Sequence, residues 1–190
     1  MIYVVPSLKA KEKLQCEGKA WAESQGFAYV PRGKRTIQDL MDEYGEDFLV
    51  YSSRGPQIDR PEGSHFFSLN MAELRIQNLR KGQRDHLLEA LMGVKEYDLR
   101  PAAAQPPISV LDCTCGFGAD AAVASFGLPA GSRVDALEVS PLLEAVTAWG
   151  FSHFVHKKDD VTAALRRISL RCGDYRVQTH ISSSHLCHFG

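Results

Sequence analysis

The chain has 190 residues, of which 44% are hydrophobic and 24% are charged, a composition typical of a folded globular protein. Its 22 basic and 23 acidic residues nearly cancel, so the net charge indicates neither nucleic acid nor a membrane surface as a partner. The N-terminus lacks the basic and apolar regions of a signal peptide, and no apolar run is long enough to span a bilayer. Five scattered cysteines suit reduced thiols better than a disulfide framework. We therefore expect a cytoplasmic protein without a membrane segment.

The first seventy residues alternate between strand and helix signals. The pattern predicts strands at 2–5, 27–30 and 48–51 and helices at 9–25 and 37–44. Thr36 is a suitable N-cap for the second helix, and Gly26 and Gly45 are suitable helix ends. Glycine and proline are then frequent from Gly55 to Gly63, which favours strands arranged as hairpins. These elements predict a small α/β domain over residues 1–70.

Residues 71–100 have the periodicity of two amphipathic helices around Gly82, and we predict that they bridge two domains. A proline-rich stretch then leads into a second run of elements. Strands are predicted at 108–111, 133–137 and 168–172, and helices at 119–126, 141–149 and 161–167. This β-α-β-α-β order is the opening half of a doubly wound sheet. The predicted fold class is α/β, with an incomplete Rossmann-like sheet over residues 101–176 that follows the small N-terminal domain.

The segment Asp112–Asp120, DCTCGFGAD, joins the first strand of the second domain to its helix. Gly116 and Gly118 allow the backbone to turn sharply and to approach a ligand closely, and the N-terminus of the following helix directs N–H groups toward that ligand. Glu138 ends the next strand, about twenty residues after the glycines, where a carboxylate accepts hydrogen bonds from both hydroxyls of a ribose. Together these features predict a nucleoside-containing cofactor.

Two cofactor classes compete for this loop. A dinucleotide site has the pattern G-x-G-x-x-G/A, and Gly116, Gly118 and Ala121 match its alternative form. However, Asp112 and Asp120 would repel a pyrophosphate and would favour the positively charged sulfonium and amino groups of S-adenosylmethionine. We therefore predict S-adenosylmethionine, with a nicotinamide dinucleotide and a ligand-free turn as the alternatives.

Asp112–Asp120 and Glu138 resemble the first two motifs of class I S-adenosylmethionine-dependent methyltransferases. More narrowly, the chain resembles the family of small-subunit ribosomal RNA guanine-N2 methyltransferases. Residues 70–75, Gly82 and the helix at 87–92 are similar to the helical region before that family's cofactor loop. The resemblance covers residues 65–176. It implies methyl transfer from S-adenosylmethionine to N2 of a guanine, with ribosomal RNA as the partner.

The resemblance also implies which residues hold the cofactor. They are the pairs that close the glycine loop, end the second strand and follow the third strand: Ala119 and Asp120, Glu138 and Val139, and Asp174 and Tyr175. Asp112, Gly116 and Gly118 complete the predicted site. Asp174 also has an independent rationale, because a carboxylate there accepts a hydrogen bond from the adenine amino group, and Tyr175 can lie against the ring. Ala119 and Val139 depart from the basic residues of the best-known family members.

Methyl transfer depends chiefly on holding the nucleophile in line with the sulfur–methyl bond. Amine methyltransferases supply a D/N-P-P-F/Y turn after the fourth strand, and the ribosomal family supplies a related D-P-x-F turn. Neither pattern occurs in the chain, so no catalytic residue is predicted. We expect a C-terminally truncated or altered version of a longer enzyme. A non-catalytic cofactor-binding or interaction module is the alternative function.

The tail at 177–190 is polar, lacks core periodicity and is predicted to be disordered. It contains the zinc-capable side chains of His180, His185, Cys187 and His188, but a solvated tail is the preferred interpretation and no metal site is predicted. Two groups of basic residues could contact RNA phosphates, although a solvated surface explains them equally well. They are Arg75, Arg80, Lys81 and Arg84, and in the first domain Arg32, Lys34 and Arg35.

Overall fold

The computed structural model describes residues 1–93, 106–177 and 186–189, the last four by their backbone alone. The chain forms two compact units. The first comprises Met1–Phe67 and Ala145–Gly150, and the second comprises Ser68–Glu144 and Phe151–Gly190. The division after Phe67 lies three residues before the domain boundary expected at residue 70.

The first unit contains a five-stranded mixed sheet in the order β2-β1-β3-β4-β5. Its elements are β1 Tyr3–Pro6, α1 Glu12–Ser24, β2 Ala28–Tyr29, α2 Ile37–Tyr44, β3 Phe48–Ser52, β4 Gly55–Arg60 and β5 Gly63–Phe66. Strand β1 is parallel to both β2 and β3. Strands β3, β4 and β5 form an antiparallel meander.

The two helices of the first unit cover opposite faces of this sheet. Neighbouring residues of a strand point to opposite faces, and Val4 packs in a cluster with Ala22 of α1 whereas Val5 packs in a cluster with Leu40 of α2. The N-cap predicted at Thr36 forms a complete capping box with Asp39. Local sequence signals and core packing therefore agree in this unit.

The hairpins of the first unit differ from the sequence expectation in one detail. Gly55 and Pro56, which have the composition of a turn, lie inside β4, where Pro56 is opposite Tyr51 of β3. Pairing with β5 begins only at Gln57. At Pro56 the strand is therefore paired on one side only, and a proline without an N–H is tolerated at such an edge position.

The second unit contains a four-stranded parallel sheet in the order β8-β7-β6-β9. Its elements are α3 Asn70–Arg80, α4 His86–Met92, β6 Ser109–Asp112, α5 Ala119–Gly127, β7 Arg133–Glu138, α7 Asp159–Arg166, β8 Ile168–Cys172 and β9 Leu186–Phe189. Helix α6, Pro141–His153, is divided between the units, because its residues Ala145–Gly150 group with the first. The predicted α/β class with a Rossmann-like parallel sheet is confirmed. Within the described ranges, no helix is both long and apolar enough to cross a membrane.

Helices α3 and α4 belong to the second unit rather than to a separate bridge. The guanidinium of Arg80 on α3 lies 5.3 Å from the centroid of the Phe126 ring on α5, and Leu88 of α4 packs directly against Gly127. These contacts bury one side of α5. The remainder of the predicted bridge, residues 94–100, lies outside the described residues.

The prediction of a disordered tail at 177–190 is wrong for Leu186–Phe189. These residues form β9, which pairs in parallel with β6 from Ser109 to Asp112. The edge of β6 opposite β7 would otherwise present unpaired backbone groups, and an added strand satisfies them whatever its side-chain pattern. Residues 178–185 and 190, with His180 and His185, lie outside the described residues, as do the side chains of Cys187 and His188.

Candidate cofactor site

The predicted site residues lie at the carboxyl edge of the parallel sheet of the second unit. Asp112 at the end of β6 is in register with Ala136, and Glu138 at the end of β7 is in register with Cys172. Two backbone hydrogen bonds of 2.9 Å tie the loops after β6 and β8 to the end of β7, from Cys115 N–H to the Leu137 carbonyl and from Gly173 N–H to the Glu138 carbonyl. The fold thus brings three loops that are distant in sequence to one edge. The loops, the strand ends before them and the first turn of α5 contain Asp112, Gly116, Gly118, Ala119, Asp120, Glu138, Val139, Asp174 and Tyr175.

The buried side chain of Glu138 joins two of these loops. One carboxylate oxygen accepts a hydrogen bond of 2.9 Å from the backbone N–H of Gly116, and the other accepts one of 2.9 Å from that of Ser140. The residue is only 7% exposed. Because a carboxylate has about four lone-pair positions, it can hold both loops and still accept hydrogen bonds from ribose hydroxyls.

The two glycines of the loop have different structural reasons to be glycine. Both have positive φ angles, 55° at Gly116 and 77° at Gly118, a region that favours glycine. A Cβ at Gly118 would lie 2.2 Å from the Phe151 ring, so this position is closed by packing. A Cβ at Gly116 would meet, among the described residues, only the Thr114 carbonyl at 4.0 Å. The open side of Gly116 is therefore where a ligand can approach the backbone.

Asp112 gives this edge a negative charge that is shielded from water. The residue is 3% exposed, and one oxygen accepts a hydrogen bond of 3.0 Å from Thr114 N–H. Burial raises the pKa of Asp112 above its ordinary value, and the charges of Asp120 and Glu138 act in the same direction. A cationic ligand would relieve this repulsion. The acidic groups and the open glycine backbone therefore fit the sulfonium, amino and ribose groups of S-adenosylmethionine.

The cysteines of the loop are structural. Cys113 and Cys115 are buried, and burial raises the pKa of the Cys115 thiol far above its usual range, with Asp112 and Glu138 adding to the effect. A thiol in this environment stays protonated and is a poor nucleophile or metal ligand. Throughout the described residues, no three His, Cys, Asp or Glu side chains are grouped to hold a metal ion.

Arg75 is a residue of this region whose contacts the sequence did not predict. The sequence allows Arg75 as an RNA contact, but in the structure its guanidinium donates to Asp85 at 2.7 and 2.8 Å and also to Asp120. Asp85 is the N-cap of α4, where it accepts hydrogen bonds from the Leu87 and Leu88 N–H groups. Arg75 therefore ties the start of α4 to the first turn of α5. No local pattern could have indicated an ion pair that spans 45 positions.

The third loop places Asp174 in a strong local interaction. Its carboxylate accepts hydrogen bonds of 2.9 and 3.0 Å from the Arg176 side chain. This contact, with the Arg176 backbone N–H, lowers the pKa of Asp174 to about 2. Val139 and Tyr175 on neighbouring loops are 62% and 51% exposed, so their apolar surfaces are accessible to a ligand ring. An adenine contact by Asp174 stays a prediction, and the carboxylate that would make it already pairs with Arg176.

Most of the basic residues considered as RNA contacts have acceptors within their own unit. Arg80 pairs with Asp160, Arg84 with Glu89 and Arg35 with Glu43. Arg32 is 7% exposed and donates to the Arg35 carbonyl. Because these carboxylates neutralise the paired arginines, less positive charge is available to RNA phosphates than the sequence alone indicates.

No protein-family model matches the chain. The uncharacterised protein YpiP from Bacillus subtilis (strain 168) is 26% identical over 172 residues, which cover 90% of this chain and 63% of YpiP. Among solved structures, the S-adenosylmethionine-dependent methyltransferase NGO1261 from Neisseria gonorrhoeae is similar with a TM-score of 0.57 at 15% identity, over 93% of this chain and 62% of that protein. The chain thus spans less than two thirds of the length of either protein. The structural similarity shows that the chain has the Rossmann-like fold of this methyltransferase.

Proposed function

We propose that the second unit binds S-adenosylmethionine and that the protein is an S-adenosylmethionine-dependent methyltransferase. The observation that carries the proposal is the buried carboxylate of Glu138, which holds the open glycine loop at the carboxyl edge of a parallel sheet. The second buried carboxylate at this edge, Asp112, provides the charge that a cationic cofactor requires. The fold shared with a methyltransferase supports the same assignment.

Each part of the site has a role in this proposal. Asp112 and Asp120, the second of which also pairs with Arg75, attract the amino and sulfonium groups, and Glu138 accepts hydrogen bonds from the ribose. Adenine lies beside Asp174, between the exposed apolar surfaces of Val139 and Tyr175. When bound, the cofactor supplies a methyl group on a positively charged sulfur. The residues of the chain orient the cofactor and exclude water, which is the main protein contribution to a transfer of this kind.

Calorimetric titration with S-adenosylhomocysteine tests the cofactor assignment. We expect saturable binding by the unmodified chain and its loss in Glu138→Ala. Asp135→Ala is the matched control, because Asp135 is a carboxylate on the same strand whose ion pairs are with Arg133 and Arg171. The assignment is wrong if the folded chain does not bind, or if Glu138→Ala, shown to be folded by circular dichroism, binds as tightly as the control.

The substrate that we propose is a guanine N2 of small-subunit ribosomal RNA. Its support is the resemblance of residues 65–176 to the family that methylates this atom. The test is transfer of a tritium-labelled methyl group from S-adenosylmethionine to small-subunit RNA, with the labelled nucleoside identified after digestion. Label in another nucleoside would support the methyltransferase activity but would show that guanine N2 is not the target.

A non-catalytic cofactor-binding module is the second candidate function. The observation that favours it is the absence, from all 190 residues, of the D/N-P-P-F/Y and D-P-x-F patterns that orient a target nitrogen. Cofactor binding and methyl transfer, measured together, distinguish the two functions. Binding of S-adenosylhomocysteine without methyl transfer to RNA would favour the module, whereas transfer that is lost in Glu138→Ala would exclude it.

A further inference from the structure

A cavity of about 540 Å³ lies in the first unit, at the carboxyl ends of β1 and β3. Ser7, which follows β1, and Ser53, which follows β3, are among its lining residues. The volume is within the range of about 300–1,000 Å³ that is usual for ligand pockets. None of the residues proposed to hold S-adenosylmethionine contributes to this cavity.

The position of the cavity coincides with the reversal of strand order in the first sheet. The chain passes from β1 through α1 to β2 on one side, and then through α2 to β3 on the other side of β1. In open α/β sheets, ligands bind outside the carboxyl ends of the strands at such a switch point, and an order that begins 2-1-3 has it between β1 and β3. The topology therefore favours a ligand at this cavity.

The rim of the cavity carries positive charge that the unit does not neutralise. Lys9 and Lys11, in the loop from β1 to α1, have no ion-pair partner among the described residues, whereas Lys13 lies 3.8 Å from Glu17. The hydroxyls of Ser7 and Ser53 likewise make no hydrogen bond within the described part of the chain. Lysine ammonium groups and free hydroxyls are the donors that bind a phosphate.

An aromatic side chain forms another part of the lining. Trp149, which groups with the first unit, packs over Gly55, where an added Cβ would lie 2.5 Å from the indole ring. It is half-buried, so part of its surface faces the cavity. Tyr51 beside it is 8% exposed and packs against Gly18. An indole held in this way is a platform for a planar ring.

We propose that the first unit binds a nucleotide in this cavity, with the phosphate on Lys9 and Lys11 and the base against Trp149. The nucleotide is either a free nucleoside monophosphate or one residue of an RNA strand. The proposal does not depend on cofactor binding by the second unit.

Calorimetric titrations with uridine 5′-monophosphate, uridine, inorganic phosphate and a short oligouridylate test the proposal. The variant is Lys9→Ala/Lys11→Ala, and the matched control is Lys19→Ala/Lys34→Ala, which removes two other exposed lysines of the same unit. The chain has two tryptophans, Trp21 and Trp149. Trp21→Phe therefore leaves Trp149 as the single fluorescent reporter of stacking. Repeating the titrations with Glu138→Ala shows whether the nucleotide occupies the candidate cofactor site instead.

We expect uridine monophosphate to bind more tightly than uridine or phosphate, to quench Trp149 fluorescence, and to lose about tenfold or more in affinity in the lysine variant but not in its control. Equal affinity in Glu138→Ala is part of this expectation. Saturable binding by the oligouridylate alone, with the same lysine dependence, would assign the cavity to an RNA strand. The proposal would be overturned if inorganic phosphate bound as tightly as uridine monophosphate, or if Glu138→Ala abolished nucleotide binding. It would also be overturned if neither uridine monophosphate nor the oligouridylate bound saturably.

Discussion

The carboxylate of Glu138 accepts a hydrogen bond of 2.9 Å from the backbone N–H of Gly116, a residue 22 positions earlier in the chain. The same side chain accepts a hydrogen bond from Ser140 N–H, so one buried group fixes two of the three loops of the candidate cofactor site. The geometry of the glycine loop is therefore set by a distant side chain as well as by the glycines themselves.

Replacing Glu138 by its neutral isostere should weaken this connection. In Glu138→Gln the amide nitrogen faces one of the two N–H donors, and the remaining hydrogen bond has an uncharged acceptor. We expect the free energy of unfolding to fall by about 1–3 kcal/mol, measured by urea denaturation followed by circular dichroism. Asp135→Asn on the same strand is the control. An unchanged stability would show that the carboxylate does not hold the loops.

The two loop glycines should respond differently to alanine. Gly118→Ala places a methyl group 2.2 Å from the Phe151 ring at a φ of 77°, so we expect a loss of about 2–4 kcal/mol in unfolding free energy. Gly93→Ala, with a φ of 64° and no described atom within 4 Å, is the control for backbone strain alone. If the two variants lose equal stability, the contact with Phe151 has no energetic role.

Gly116→Ala should affect the ligand more than the fold. Its added methyl group projects into open space at a φ of 55°, so we expect a stability loss of only about 1 kcal/mol. Affinity for S-adenosylhomocysteine should fall about tenfold or more, because the methyl group blocks close approach to the backbone. Calorimetry and urea denaturation of the same preparation separate the two effects. Undiminished affinity would place the cofactor away from Gly116.

The pair formed by Arg75 and Asp85 should make stability depend on pH. Burial alone would raise the pKa of Asp85, but hydrogen bonds from Arg75 and from the α4 backbone outweigh it, and the pKa is lowered. A lowered pKa contributes stability above the unfolded value of about 3.9, and this contribution is lost as the pH falls through the folded pKa.

Arg75→Met removes the partner and leaves a buried carboxylate. We expect a loss of about 2–4 kcal/mol in unfolding free energy near pH 7, and a smaller difference from the unmodified chain below about pH 4, where Asp85 is protonated in the variant. Urea denaturation across this range measures both effects. Arg84→Met, which removes an exposed partner of Glu89, is the control. A difference that does not change with pH would contradict the assigned role of Asp85.

Asp112→Asn should stabilise the fold and weaken cofactor binding. Because the pKa of Asp112 is raised by burial and by neighbouring carboxylates, its ionised form destabilises the fold as the pH rises from about 3.9 through the raised value. Asparagine keeps an acceptor for Thr114 N–H without the charge. We expect a higher melting temperature than the unmodified chain at pH 7, a difference that shrinks in acid, and weaker binding of S-adenosylmethionine. A lower melting temperature of the variant at pH 7 would show that the ionised Asp112 carboxylate stabilises the fold and would contradict this prediction.

Local signals in the sequence were sufficient for much of the fold. The capping box at Thr36 follows from side chains three residues apart, and the loop from Asp112 to Asp120 was recognisable because glycine has unusual backbone freedom. Parallel strands necessarily bring their carboxyl ends to one edge, so the positions of Glu138 and Asp174 were predictable once the strands were assigned. What such signals report is the conformation of neighbouring residues.

Contacts between distant residues could not be predicted in this way. The ion pair of Arg75 with Asp120, the pairing of β9 with β6 and the use of both Glu138 oxygens by backbone N–H groups join segments with no shared local pattern. Predicting the cavity beside β1 and β3 would have required the order of the strands in the sheet as well as their positions in the sequence. By itself, the sequence determined the α/β class and the glycine loop, since these depend on backbone preference and hydrophobic periodicity. Only the tertiary structure decided which buried charges meet and which surfaces stay open, because burial and pairing energies depend on neighbours that folding brings together.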